Sequence, residues 1–321
     1  MVNFCNQPGV FTDVPGREAK AQVDGIAEHI LEVHMKTNLI LINNDIVDAE
    51  EINVHPFNRG HQFGDGVYEI VPVYNGKALH AEAHMESLFN AMVQIKIPGF
   101  YMVEEMVEFT KRLIEAAEVA DGLLYTQVTR GIGPYGLEFP EQCEPELIMQ
   151  AVPLDREKLE ELRQTGVSLM TVPDERVVKC ELNTLNRLPE ILAKNKARVG
   201  KCYDALFVRD EKITESTEAA FMVVKDEMLW TYPLKLGSIH ANGTRQLIKE
   251  KLASTLDMQV IEKAFTKDFA LGAEEAFLCG PRCEIMPVSK IDRRMIADGK
   301  PGKATLQLQA AFEDYIGEKT K

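Results

Sequence analysis

The chain has 321 residues, 45% of them apolar and 27% charged, an ordinary balance for a globular protein with room for two sizeable cores. A formal net charge of −14 argues against nucleic acid or an anionic membrane as partner, since either would repel such a surface. Six cysteines at 5, 143, 180, 202, 279 and 283 show no C-x-x-C pairing, no apolar run reaches membrane-spanning length, and the first residues lack a basic-then-apolar leader; these features predict a cytoplasmic protein with neither zinc site nor disulfide framework.

Residues 1–37 read as an extension, with Ile26, Ile30, Leu31 and Met35 at helix-compatible spacing within 17–35. The stretch 39–47 predicts strand, turn and strand, with Asn43-Asn44-Asp45 as the turn. A strand over 67–74 runs into Asn75-Gly76, the signal of a type I′ hairpin. Helices are expected over 82–96 and 102–119, then strands over 123–131 and 146–154 around a loop carrying Gly131, Gly133 and Gly136. This half reads as one small α+β domain, 38–154. A charged linker with a short helix follows over 155–166, and a second domain over 167–321. There, strands are expected at 167–173, 203–209, 219–224, 228–232, 258–264 and 276–279, with helices over 244–255 and 303–316. Both halves mix helix and strand, so the fold class is α+β with two domains.

The most specific block is Arg59-Gly60-His61-Gln62-Phe63-Gly64-Asp65-Gly66-Val67-Tyr68-Glu69. Any single Gly-Asp-Gly signals only a glycine-dependent loop beneath a strand. Eleven residues in this order, with Thr129-Arg130-Gly131, Lys179 to Leu188, Thr214-Glu215-Ser216, Gly243-Thr244-Arg245 and Glu284 to Val288, resemble the class IV aminotransferases. That family includes the D-amino-acid and branched-chain aminotransferases. The resemblance runs from about residue 39 to the C-terminus. It implies a small α+β domain and a larger barrel-like domain, with pyridoxal phosphate or pyridoxamine phosphate between them, usually in a homodimer.

Asn183 stands where the family has the lysine that holds the cofactor as a Schiff base and shuttles protons. An asparagine amide does neither, because its nitrogen lone pair is delocalised into the carbonyl. Ser87, in His84-Met85-Glu86-Ser87-Leu88, stands where the family has an arginine that grips the cofactor phosphate. That exchange costs roughly 1.5–3 kcal/mol of phosphate binding if nothing replaces the charge. Glu215 matches the carboxylate that keeps the pyridine nitrogen protonated, with Ser216 beside it. Gly243 and Thr244 match the phosphate region at a helix start. Arg282 falls near the same phosphate and offers a replacement charge, against the plainer reading of a surface arginine in a turn. Tyr68 matches the tyrosine on the substrate side of the cofactor. Tyr135 and Leu137 occupy the loop that carries the carboxylate-binding cations of D-amino-acid aminotransferases, and supply no such charge.

His240 aligns near the cofactor face and is a candidate replacement base, although a lone histidine is more often structural. Lys179 shares a strand face with Asn183, but at about 3.3 Å per residue it starts roughly 13 Å from the usual anchor point. Three readings follow. The first is an atypical aminotransferase with non-covalent cofactor, moving an amino group between an amino acid or amine and a 2-oxo acid. The second is a catalytically inactive scaffold that binds a ligand or partner. The third is cofactor-independent chemistry in the same cleft.

Overall fold

Asparagine turns open the architecture. Asn43 takes a left-handed φ of 54° between β1 (Leu39–Ile42) and β2 (Asp45–Asp48), a conformation its short polar side chain tolerates. The computed structural model describes residues 38–99, 101–176 and 180–321. The helix expected within 17–35 and Lys179 lie outside them.

The block from Arg59 to Phe63, read from sequence as a loop, is a short helix, α1 (Arg59–Phe63). Asn58 caps its first turn and Gly64, at φ 65°, ends it. β3 (Gly66–Tyr74) follows, and Asn75 (φ 51°) and Gly76 (φ 72°) turn it into β4 (Lys77–Ala78) as a type I′ hairpin requires. Helices α2 (Ala81–Gln94) and α3 (Val103–Ala116) set Met85, Leu88, Met92, Met106 and Leu113 into the core that the sheet shares. β5 (Gly122–Thr129) and β6 (Glu146–Pro153) complete a six-stranded antiparallel sheet in the order β2-β1-β6-β5-β3-β4.

Between β5 and β6, Gly131 has φ 91°, and an added Cβ would run into the Glu144 carbonyl oxygen. Gly131→Ala is therefore expected to destabilise the protein by about 1–3 kcal/mol. A urea melt reads this, and an unchanged midpoint would show that the loop relaxes freely.

Helix α4 (Arg156–Thr165) leads to the second sheet. Its elements in order are β7 (Val167–Pro173), α5 (Leu188–Val199), β8 (Asp204–Arg209), β9 (Lys212–Ser216), β10 (Ala220–Lys225) and β11 (Met228–Thr231). Next come α6 (Gly243–Leu247), a π-turn over Ile248–Leu252, and α7 (Ala253–Thr255). β12 (Val260–Glu262), β13 (Phe265–Thr266), α8 (Lys267–Leu271), β14 (Glu275–Gly280), β15 (Glu284–Ile291), β16 (Arg294–Met295) and α9 (Lys303–Lys319) complete the chain. Strands β10-β14-β15-β7-β8-β9 form a ring, because Ala220 of β10 also pairs with Glu215 of β9. This closed barrel, within a mixed α and β fold, is the larger architecture expected from the resemblance.

β10 explains its own sequence. Phe221 and Val223 join one buried cluster, whereas Ala220, Met222 and Val224 join another with Leu308, Phe312 and Ile316 of α9. A strand covered on both faces reads as a continuous apolar run. β9, β15 and α8 were absent from the expected elements. β9 is polar (Lys-Ile-Thr-Glu-Ser), and β15 carries Pro287, which usually marks an edge or a bulge; here the register shifts between Val288 and Lys290.

Candidate active site

Two distant motifs meet at the start of β3. The segment after Asn183 lies along it, with a Val67–Thr184 bridge, the Tyr68 N–H donating to the Asn183 carbonyl at 2.8 Å and the Leu185 N–H donating to the Gly66 carbonyl at 3.1 Å. Gly64 has to be glycine, because a Cβ would sit 2.6 Å from Asn186 Oδ1 and its φ is left-handed. Asp65 between the glycines accepts from Arg59 at 2.8 Å and from Arg130 at 2.8 and 3.0 Å. Much of the diagnostic block is thus scaffolding that seats residues 183–187 on the sheet.

Beside that seat lies a cavity of about 550 Å³, within the range of small-molecule and cofactor sites. On one wall, Glu215 of β9 is 3% exposed. Its Oε1 pairs with Arg176 and accepts from His240 Nδ1 at 2.7 Å. The His240 main-chain N–H lies 3.0 Å from Oε1 and 3.1 Å from Oε2. Burial pushes this carboxyl up, but the His240 and Arg176 charges and hydrogen bonds outweigh it and hold it below the usual carboxylate range. Because a carboxylate only accepts, the bond places a proton on His240 Nδ1. Arg176 is fixed in turn by Asp174 at 2.8 and 2.9 Å, by the Ser238 carbonyl at 3.0 Å and over the Phe207 ring at 4.4 Å.

Tyr68 and Glu69 of β3 line the same cavity with His84 and Ser87 of α2. Burial drives the Tyr68 phenol well above its ordinary range, so it stays protonated and serves as a donor, not a base. Its ring stacks on Tyr125 at 5.5 Å. His84 Nδ1 lies 3.1 Å from Glu69 Oε1, and a Cβ on Gly243 would touch the His84 ring at 3.0 Å. The glycine at the start of α6 makes room for that imidazole. A side chamber of about 330 Å³ shares Tyr68, Glu69, Ser87 and Asn183 with the main cavity.

Of the sequence-predicted residues, Tyr68, Ser87, Asn183, Glu215, Ser216, His240, Gly243 and Thr244 line this cavity together. The structure does not bring in the other three described ones. Arg282 is 42% exposed and pairs with Glu218 at 3.1 Å, while Tyr135 and Leu137 are 84% and 83% exposed away from the lining. Sequence reasoning missed Arg176, Glu69, His84 and Arg187. The last three sit inside the diagnostic motifs, where their charge was the available signal; Arg176 stands in a stretch with no motif of its own. Among the described lining residues the one lysine is Lys251, which donates to Tyr315 Oη at 3.2 Å.

Comparison with known proteins shows which class this fold belongs to. The amino-transferase class IV family pattern matches residues 66–291. The D-alanine aminotransferase of Staphylococcus aureus (strain N315) is 33% identical over 278 residues, 86% of this chain and 97% of its own. That of Bacillus licheniformis is 32% identical over 281 residues, covering 88% and 98%. Among solved structures, the Escherichia coli branched-chain amino acid aminotransferase superposes with a TM-score of 0.82 at 22% identity, covering 89% of this chain and 97% of its own. The branched-chain amino acid aminotransferase from Thermobaculum terrenum, solved in its PLP form, gives 0.78 at 24%, covering 88% and 94%. The chain belongs to the class IV aminotransferase family. Among its described residues, no helix is long and apolar enough to cross a membrane, and no His, Cys, Asp and Glu cluster could hold a metal.

Proposed function

We propose that the chain is an aminotransferase that holds pyridoxal or pyridoxamine 5′-phosphate without a covalent bond at residue 183. It would move an amino group between an amino acid, or an amine, and a 2-oxo acid. The observation that carries this reading is the buried, ionised Glu215 on the cavity wall. Its Oε2 accepts one hydrogen bond, from the His240 N–H, and a carboxylate oxygen has room for a second. That is the acceptor a protonated pyridine nitrogen needs. The residues therefore fit the group non-covalently, with Glu215 on the ring nitrogen and Thr244 and Ser87 as neutral phosphate donors.

When bound, the cofactor supplies an electron sink for bond breaking at the substrate Cα. The protein's own share is to bind, orient and move protons. Tyr68 donates from its phenol. Nδ1 of His84 and Nδ1 of His240 each face a carboxylate, which leaves Nε2 of each ring as the atom through which it exchanges a proton. Calorimetric titration with pyridoxamine 5′-phosphate tests the reading, which predicts saturable binding; none at millimolar ligand would end it. One observation favours the inactive-scaffold reading, namely that His240 and Arg176 already engage Glu215 Oε1. Conversion of added pyridoxal phosphate to the pyridoxamine form by an amino donor would separate the two.

The homodimer belongs to the same proposal, supported by Leu188, Ile191, Leu192 and Val199, all more than half exposed on α5. Light scattering is expected to give twice 36.1 kDa, and a monomeric mass would refute it.

A further inference from the structure

Arg187 stands out among the arginines. Among the described residues, Arg59 and Arg130 share Asp65, Arg156 and Arg163 share Glu284, Arg176 and Arg209 share Asp174, and Arg245 pairs with Glu262. Arg112 bonds twice to Asn44. The other described arginines, 198, 282, 293 and 294, are exposed. Arg112 and Arg187 are the two partly buried ones without an ion pair, and of these only Arg187 has a buried Nε without a partner and lines the cavity.

Its guanidinium lies 5.0 Å from the centre of the Tyr68 ring, and Nη2 donates to the Thr217 carbonyl at 3.2 Å. Nε is buried and has no partner. Glu218 feels the Arg187 charge at longer range, but its ion-pair contacts are with Arg282 and Lys194. A covered cation with unused donors is costly unless something anionic meets it. Arg187 lines the main cavity, and its contact with the Tyr68 ring puts it beside the residue matched to the substrate side of the cofactor.

We propose that Arg187 binds the carboxylate of the amino-acid or 2-oxo-acid substrate. The inference rests on the reading of this cavity as an aminotransferase site and names the group that selects its substrate. A guanidinium fork matches a carboxylate in a bidentate pair, and the Tyr68 ring holds the fork by its face. Glu215, its charge already offset by Arg176, binds the cofactor ring, while Arg187 takes the acid. This supplies a charge that Tyr135 and Leu137 do not provide.

The test is calorimetric binding of 4-methyl-2-oxopentanoate, its uncharged amide and, separately, pyridoxamine 5′-phosphate to the full chain. Wild type is expected to prefer the acid over the amide. Arg187→Met is expected to weaken the acid about 10- to 100-fold, Arg187→Lys to regain part of that, and both to leave pyridoxamine 5′-phosphate within about twofold. Melting curves and the lysine variant guard against a folding defect. Equal acid affinity in wild type and Arg187→Met overturns the proposal, and so does a loss that falls on pyridoxamine 5′-phosphate instead. A stability change without a binding change also overturns it, and would point to Glu190, whose buried Oε2 lacks a partner. If wild type binds the acid through Arg187 but not pyridoxamine 5′-phosphate, the cofactor reading fails and this one stands.

Discussion

Replacing Arg176 with methionine is expected to remove about 3–5 kcal/mol of stability, because it leaves buried carboxylates without their cation. Asp174 and Glu215 both touch this guanidinium, and both are held below the usual carboxylate range: burial pushes each up, while Arg176 and Arg209 for Asp174, and His240 and Arg176 for Glu215, outweigh it. A depressed carboxyl contributes stability above its unfolded pKa and loses it as pH falls through the folded value. In the variant the same groups, buried and less compensated, shift upward, and protonation then favours the folded state. The gap between wild type and variant is therefore expected to close on acidification below about pH 4. Urea melts across pH check this. A gap independent of pH would assign the effect to lost packing over Phe207 instead of charge.

The second large effect is a gain. Asn183→Lys places an amine on the wall of the cavity that an intact Glu215 also lines. With added pyridoxal phosphate, the variant is expected to form an adduct that borohydride fixes covalently, located by mass spectrometry at residue 183; wild type forms none there. Restoring a positioned acid–base group is worth about 10²–10⁴ in rate, so turnover on a suitable amino donor is expected to rise by that order over wild type. Failure to form the adduct, in a variant that melts like wild type, would show that the cavity does not admit the cofactor in the family's orientation.

The sequence shows the hairpins and long amphipathic helices plainly, since Asn43, Asn75-Gly76 and the apolar faces of α2 and α3 act within a few residues. It hides β15, because Pro287 argues against a strand until its two neighbours are known. The cavity wall was legible where residues matched a familiar motif, as with Tyr68, Glu215 and Gly243. Arg187 sits in such a motif yet was passed over, since its meaning depends on lacking a counter-ion, and an absent partner is visible only in three dimensions. Arg282 shows the opposite error: its charge suited the phosphate on paper, but in space Glu218 claims it.

The barrel closes through the pairing of Ala220 with Glu215, so the residue that shuts the cylinder also presents its carboxylate to the cavity. Ligand occupancy and closure of the ring are thereby joined at one backbone position. Amide exchange near that seam is expected to slow when the cavity fills, which makes the seam a gauge of binding that needs no turnover and no chromophore.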